Sequence, residues 1–120
     1  MRMPISYALF YPRRASRPQE HFNFLDHPQL TFEAVDRRKY PALDIAYECL
    51  RRGGTAACTM NGANERAVAA FLAGKCPWLE IVRAIEYALK HAAFTLRPTL
   101  DDYAAADDEA RRLAAEYLKL

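Results

Sequence analysis

The side chains of this sequence with chemical potential are few and scattered. The densest polar run is Asn61-Gly62-Ala63-Asn64-Glu65. Carboxamides both donate and accept hydrogen bonds, so such a run can line a site. At a helix start the same groups satisfy orphan backbone N–H groups, and capping with interhelix hydrogen bonding is the default reading. The acidic residues Asp101, Asp102, Asp107, Asp108 and Glu109 have the oxygen chemistry of a divalent-cation site. Acids also gather at helix N-termini for dipole reasons, and both groups fall where helix starts are expected. Of the histidines, His21, His27 and His91, none has a second His or Cys at ligand spacing. His91 suits a helix C-terminus, where positive charge is favoured. Arg13-Arg14-Ala15-Ser16 fits a short basophilic kinase consensus and, with Arg17, a weak phosphate-contacting patch. A solvated loop is the simpler reading. There is no Gly-x-Gly-x-x-Gly, no Walker loop and no Gly-x-Ser-x-Gly, and serine occurs only at Ser6 and Ser16. These residues assemble no active site, so no catalytic, cofactor-binding or metal-ligating residue is assigned.

Composition bounds the classes that remain. The 120 residues, 52% hydrophobic and 27% charged, are enough for one domain with its own core. A net charge of +2, from 17 basic and 15 acidic residues, argues against an electrostatic nucleic-acid binder. No apolar run approaches the roughly 18 residues that span a bilayer. Cys49, Cys58 and Cys76 are odd in number and lack a Cys-x-x-Cys pair. They point to free thiols and a reducing, cytoplasmic location rather than a disulfide or zinc framework. No signal-peptide pattern is visible.

The elements that must position these residues divide near residue 40. Residues 1–39 read as an extended arm with one or two isolated strand-like segments. Ile5 to Tyr11 is apolar and aromatic, a strand or a short helix. Leu30 to Val35 alternates apolar and polar, the signature of a half-buried strand. A lone strand cannot satisfy its own hydrogen bonds, and the sequence supplies no obvious sheet partner. From Tyr40 onward the chain is expected to be mainly α, a bundle of three to five helices. Leu43, Ala46, Tyr47 and Leu50 form a helical stripe that starts near Pro41 and is stopped by Gly53-Gly54. Asn61 is expected to cap a second helix carrying Ala67, Val68, Phe71 and Leu72, with Gly74 as its C′ residue. Pro77 opens a third, with Leu79, Val82, Ile85, Ala88 and Leu89 on one side. Thr99-Leu100-Asp101-Asp102 resembles a capping box with Asp in place of Glu. Asp107 is expected to cap a separate last helix.

A set of specific residues then goes beyond generic helix reading. Met1-Arg2-Met3-Pro4-Ile5, with Ala8-Leu9 and Pro12, resembles the Met-Arg-x-Pro-Ile segment of the 1-deoxy-D-xylulose 5-phosphate reductoisomerase family. Leu30-Thr31-Phe32-Glu33 is similar to that family's linking arm, and Tyr40-Pro41-x-Leu43 with Ala46-Tyr47-Glu48 to its next helix. Gly53-Gly54-Thr55 and Asn61-x-Ala63-Asn64-Glu65-x-Ala67-Val68-x-Ala70-Phe71-Leu72 resemble its most distinctive C-terminal motif. Pro98-x-Leu100-x-Asp102, Ala106-Asp107 and Ala110-Arg111 complete the series in the family's order. Departures include Ala42 where the family often has Cys, Gly62 in place of Ala, and Cys76 at a usually aliphatic position.

The resemblance implies an enzyme that converts 1-deoxy-D-xylulose 5-phosphate to 2-C-methyl-D-erythritol 4-phosphate in isoprenoid biosynthesis. It uses NADPH and Mg²⁺ or Mn²⁺ and works as a homodimer. It also implies that residues 1–39 are the end of a catalytic domain plus the linking arm, and residues 40–120 the C-terminal helical domain. The family's glycine-rich turn, acidic metal ligands and substrate-holding residues have no counterpart here. This chain is therefore expected to bind neither NADPH nor metal by itself, and to brace an active site built by missing N-terminal and catalytic portions. Met1 borders the substrate in the implied arrangement. Arg2, Pro4, Asn61, Asn64 and Glu65 are structural. Thr59-Met60-Asn61 with Glu65 superficially resembles an upstream metal and substrate segment of the family, but Gly62 stands where its lysine belongs, so Glu65 is not read as a ligand. The alternative is a free-standing helical protein-interaction module that has lost the chemistry. Neither reading involves a membrane.

Overall fold

A computed structural model describes residues 2–14 and 22–120. The described residues form helices only, α1 (Arg2–Phe10), α2 (Ala42–Arg52), α3 (Ala56–Leu72), α4 (Leu79–His91) and α5 (Leu100–Leu118). The chain divides into two compact units, Met1–Ala34 and Val35–Leu120.

In the first unit, the segment that sequence left between strand and helix is helical. Pro4 lies in the first turn of α1, where its missing N–H costs nothing. The strand-like reading of Leu30 to Val35 is not realised. The segment has no ladder partner among the described residues and carries no secondary structure, because alternation specifies a face but supplies no neighbouring strand.

The second unit is built around α3, which packs against α2, α4 and α5. Its buried positions are all small, Ala56, Thr59, Gly62, Ala63, Ala67 and Ala70. Small residues let neighbouring helices approach closely. Larger side chains come from the neighbours, with Ile81 and Ile85 of α4 and Leu113 of α5 closing over Ala63 and Ala67. α3 ends as expected at Gly74, whose φ is +70°. The Gly74 N–H donates to Phe71 O at 2.9 Å and the Lys75 N–H to Ala70 O at 2.9 Å, a Schellman pair. α5 begins with the expected capping box. Thr99 Oγ1 accepts from the Asp102 N–H at 3.2 Å, and Asp102 Oδ2 accepts from the Thr99 N–H at 2.8 Å.

Three expectations are corrected. Asn61 does not cap α3. The helix starts at Ala56, after Gly53, Gly54 and Thr55, so Asn61 lies in its interior. Asp107 does not start a separate helix, because α5 runs unbroken through it. On α2, the side turned inward carries Ile45 and buried Cys49, while Tyr47 and Leu50 are exposed, Leu50 at 74%.

Candidate functional site

The polar run of α3 forms one side of a charged seam against α5. Asn61 and Glu65 are one turn apart, and Asn61 Nδ2 donates to Glu65 Oε1 at 3.2 Å. From α5, the Arg111 guanidinium donates to Glu65 Oε2 at 2.6 Å and through Nε to Asp107 Oδ2 at 2.6 Å. Arg111 therefore sits between two carboxylates, one on its own helix and one on its neighbour. Arg111, first, and then the Asn61 amide hold the Glu65 carboxyl below the usual carboxylate range. The paired carboxylates, Asp107 foremost, hold Arg111 firmly in its charged form.

The seam closes because Gly62 lies beneath it. A Cβ at Gly62 would stand 2.7 Å from Asp107 Oδ1, 3.1 Å from Asp107 O and 3.3 Å from Ala110 Cβ. The glycine that costs helix propensity lets α5 pass close to α3. One turn earlier, the Cys58 thiol donates to Tyr103 O at 3.3 Å. Burial pushes that thiol up, and the Cys49 thiol likewise. Neither is poised as a thiolate nucleophile.

A second fixed point is the Gly53-Gly54-Thr55 corner. The Thr55 N–H donates to Thr95 O at 3.0 Å, and the Thr95 N–H donates back to Thr55 Oγ1 at 3.1 Å. Thr55 is 2% exposed. Gly54 has a φ of +52°, and the chain at Thr95 and Leu96 passes directly over its Cα. The Arg52 guanidinium lies 4.1 Å from the Phe94 ring centroid, and Glu109 Oε2 accepts from the Ala93 N–H at 3.0 Å. The connection between α4 and α5 is thus pinned to the corner between α2 and α3.

Asn64 belongs to neither network. It lies with Ala42, Ile45, Ala46, Met60, Asn61 and Ile85 around a cavity of about 210 Å³ between α2, α3 and α4. A larger open groove of about 540 Å³ runs between α2 and α4. Ile45, Cys49 and Leu89 floor it, and Asp44, Glu48 and Glu86 share its rim with Arg51, Arg52 and Lys90.

The other candidate residues are not brought together. Met1, Ser16, Arg17 and His21 lie outside the described residues, and Pro4 is exposed on α1. Arg14 rests 4.8 Å from the Tyr7 ring centroid, and His27 stacks on Phe22 at 5.1 Å. His91 donates through Nδ1 to Tyr87 O at 2.8 Å at the end of α4. Asp101 and Asp102 occupy the first turn of α5, as the dipole reading requires, whereas Asp107 and Glu109 hold Arg111 and the Ala93 N–H. Among the described residues no three His, Cys, Asp or Glu side chains are grouped to hold a metal ion. The carboxylates of Glu65 and Asp107 are both bonded to Arg111. These residues do not fit a catalytic divalent cation. No described helix is long and apolar enough to cross a membrane.

Comparison with known proteins gives one consistent result. A family profile described as the DXP reductoisomerase C-terminal domain matches residues 1–113. The 1-deoxy-D-xylulose 5-phosphate reductoisomerase of Bacteroides thetaiotaomicron is 43% identical over 118 residues, which is 98% of this chain and 30% of that protein. Its counterpart from Zymomonas mobilis is 40% identical over 119 residues, 99% of this chain and 31% of that protein. A solved structure of the Zymomonas mobilis reductoisomerase in complex with NADPH superposes with a TM-score of 0.85 at 39% identity. That match covers 99% of this chain and 32% of that one. The chain spans about 30% of the length of the curated relatives it matches.

Proposed function

Because the chain belongs to the 1-deoxy-D-xylulose 5-phosphate reductoisomerase family, as its C-terminal domain, we propose that it works as the C-terminal portion of such an enzyme. The reaction is the NADPH-dependent rearrangement and reduction of 1-deoxy-D-xylulose 5-phosphate to 2-C-methyl-D-erythritol 4-phosphate. The observation that carries this reading is the superposition over 99% of this chain and only 32% of the NADPH-bound neighbour. The nicotinamide and the Mg²⁺ or Mn²⁺ ion are held by the larger part of the enzyme.

The contribution of this chain is structural. Asn61 and Glu65 act with Arg111 to lock α3 to α5, and Asn64 lies at the neighbouring cavity. Residues 1–39 are the end of the catalytic domain plus the linking arm, and residues 40–120 the helical domain. Met1 lies near the substrate, while Arg2 and Pro4 brace the backbone beside it. The complete enzyme is a cytoplasmic homodimer.

The test is an NADPH-oxidation assay with 1-deoxy-D-xylulose 5-phosphate and Mg²⁺ on two proteins. One is the purified 120-residue chain. The other is a chimera in which this chain replaces the matching part of the Zymomonas mobilis enzyme. The chain alone is expected to give no turnover and the chimera to give turnover. Turnover by the chain alone overturns the structural role. A folded but inactive chimera favours the free-standing interaction module instead.

A further inference from the structure

Of the three asparagines, Asn23, Asn61 and Asn64, only Asn61 precedes a glycine. That pair carries a chemistry that the seam between α3 and α5 does not use. In a pliable chain the Gly62 backbone nitrogen can attack Asn61 Cγ. A C–N bond forms and closes a cyclic imide, the Cγ–Nδ2 bond breaks, and ammonia leaves with the proton of the Gly62 nitrogen. Water then opens the imide at either carbonyl, with no change of oxidation state, to give aspartate or isoaspartate. Glycine favours the attack because no Cβ shields its nitrogen or restricts its approach.

The fold opposes each requirement of this reaction. Both residues lie inside α3, where helical ψ turns the Gly62 nitrogen along the axis and its N–H belongs to the helix ladder. The Asn61 carboxamide is held away from that nitrogen, donating to Glu65 Oε1 at 3.2 Å one turn ahead. Gly62 is buried beneath Asp107 and Ala110 of α5, so its backbone cannot swing round without parting the two helices. Asn61 itself is exposed, and water reaches it as soon as the helix opens. We infer that Asn61–Gly62 is a latent deamidation site, closed by α3 and released by its opening, and that modification there keeps the helix from re-forming as before. Because α3 packs against α2, α4 and α5, such opening loosens most of the helical unit. Isoaspartate adds a methylene to the main chain, which puts the buried face of Ala63, Ala67 and Ala70 out of step with its neighbours. Aspartate keeps the main chain but loses the amide donor and sets a like charge one turn from Glu65.

The experiment incubates the 120-residue chain in mildly alkaline buffer with and without guanidinium chloride and follows each asparagine by peptide mass spectrometry. In denaturant Asn61 converts faster than Asn23 and Asn64, with isoaspartate among its products. Without denaturant its conversion slows by roughly a hundredfold or more, because only the opened fraction reacts. Gly62→Ala, measured in denaturant where its folding is irrelevant, brings Asn61 down to the rate of Asn64. Gly54→Ala, which strains the corner before α3 and leaves the reacting atoms untouched, raises the rate in buffer. Once denaturant is removed, the isoaspartyl fraction regains less helical circular dichroism than the unmodified chain. Equal rates at Asn61 with and without denaturant overturn the inference, as does a rate in denaturant no higher than that of Asn64. An isoaspartyl chain that recovers full helicity and an unchanged urea midpoint overturns the claim that the change is one-way.

Discussion

Gly54 is the position where a single methyl group should do the most damage. Its φ of +52° lies in the left-handed region, which costs a residue with a Cβ about 1–2 kcal/mol. The added Cβ would also overlap the Thr95 carbonyl oxygen and stand 3.0 Å from Leu96 Cα and 3.1 Å from Phe94 Cε2. The first two obstacles are backbone, and that backbone is fixed by the paired hydrogen bonds between Thr55 and Thr95. Overpacking against a fixed neighbour adds about 1–3 kcal/mol. Gly54→Ala should therefore destabilise by about 2–5 kcal/mol, a large part of the roughly 5–15 kcal/mol that holds a domain together.

Gly74→Ala is the matched control. Its φ of +70° carries similar strain, but a Cβ there meets nothing within 4 Å, so only about 1–2 kcal/mol is lost. The assay is urea unfolding of the 120-residue chain followed by circular dichroism and by the fluorescence of its one tryptophan, Trp78, which packs edge-on against Phe71 at 5.5 Å. With unchanged slope, the midpoint of Gly54→Ala should fall well below that of Gly74→Ala. Equal midpoints for the two variants would show that the Thr95 strand of chain moves aside freely, and would refute the idea of a pinned corner.

Three further perturbations address the same contacts. Thr55→Val keeps the shape of the buried side chain but leaves the Thr95 N–H without its acceptor. It should cost about 1–3 kcal/mol in the same urea assay, and a neutral result would mean water replaces the hydroxyl. Gly62→Ala gains up to about 1 kcal/mol of helix propensity against about 1–3 kcal/mol of overpacking, so it should destabilise. In an Asp107→Ala background the nearest obstacle is gone, and a double-mutant cycle that is additive within about 0.5 kcal/mol would contradict the close approach. The Glu65, Glu80 and Asp102 carboxyls are all held below their ordinary values, by Arg111, the Tyr117 hydroxyl and the Thr99 N–H respectively. Each lowered value adds stability that is present above the unfolded pKa of about 4 and is lost as pH falls through the folded value. Urea midpoints should therefore drop below about pH 4, less steeply in Glu65→Gln, and an identical slope in that variant would remove Glu65 from the account.

What the sequence made legible was local. The Gly74 stop and the Thr99 capping box were readable because their donors and acceptors lie within a few residues of each other. The start of α3 was not, because the helix is enclosed by α2, α4 and α5. A helix buried behind small residues on several sides shows little polar–apolar periodicity, so Asn61 is the first strong signal and reads as a cap. Asp107 misled for a related reason. It looks like a cap when its neighbours are considered alone, yet its partner is Arg111 one turn later. On α2, Leu43, Tyr47 and Leu50 compete with Ile45 and Cys49 as apolar faces, and only the tertiary contact with α3 decides that Ile45 and Cys49 turn inward. The polar motif itself was recognised, but Arg111 as its counter-ion lies 46 positions from Glu65. No local rule could have paired them.

That pairing bears on which functional reading the bundle favours. A free-standing interaction module would keep its distinctive polar residues unpaired and available to a partner. Here Asn61, Glu65, Asp107 and Arg111 are bonded to one another across α3 and α5, and Thr55 is buried against Thr95. The side chains left facing outward include Tyr47, Leu50, Leu72, Leu79 and Trp78, the last 65% exposed. Large apolar side chains on several exposed surfaces gain little in water and much from burial against a larger body. A domain whose distinctive polar side chains pair with one another, and whose outer surface carries large apolar side chains, is suited to being packed against. Glu65 fits this division well: a carboxylate bound by a guanidinium and a carboxamide can hold two helices in register. The motif most distinctive of the family in this chain thus serves, in the structure, to hold α3 to α5.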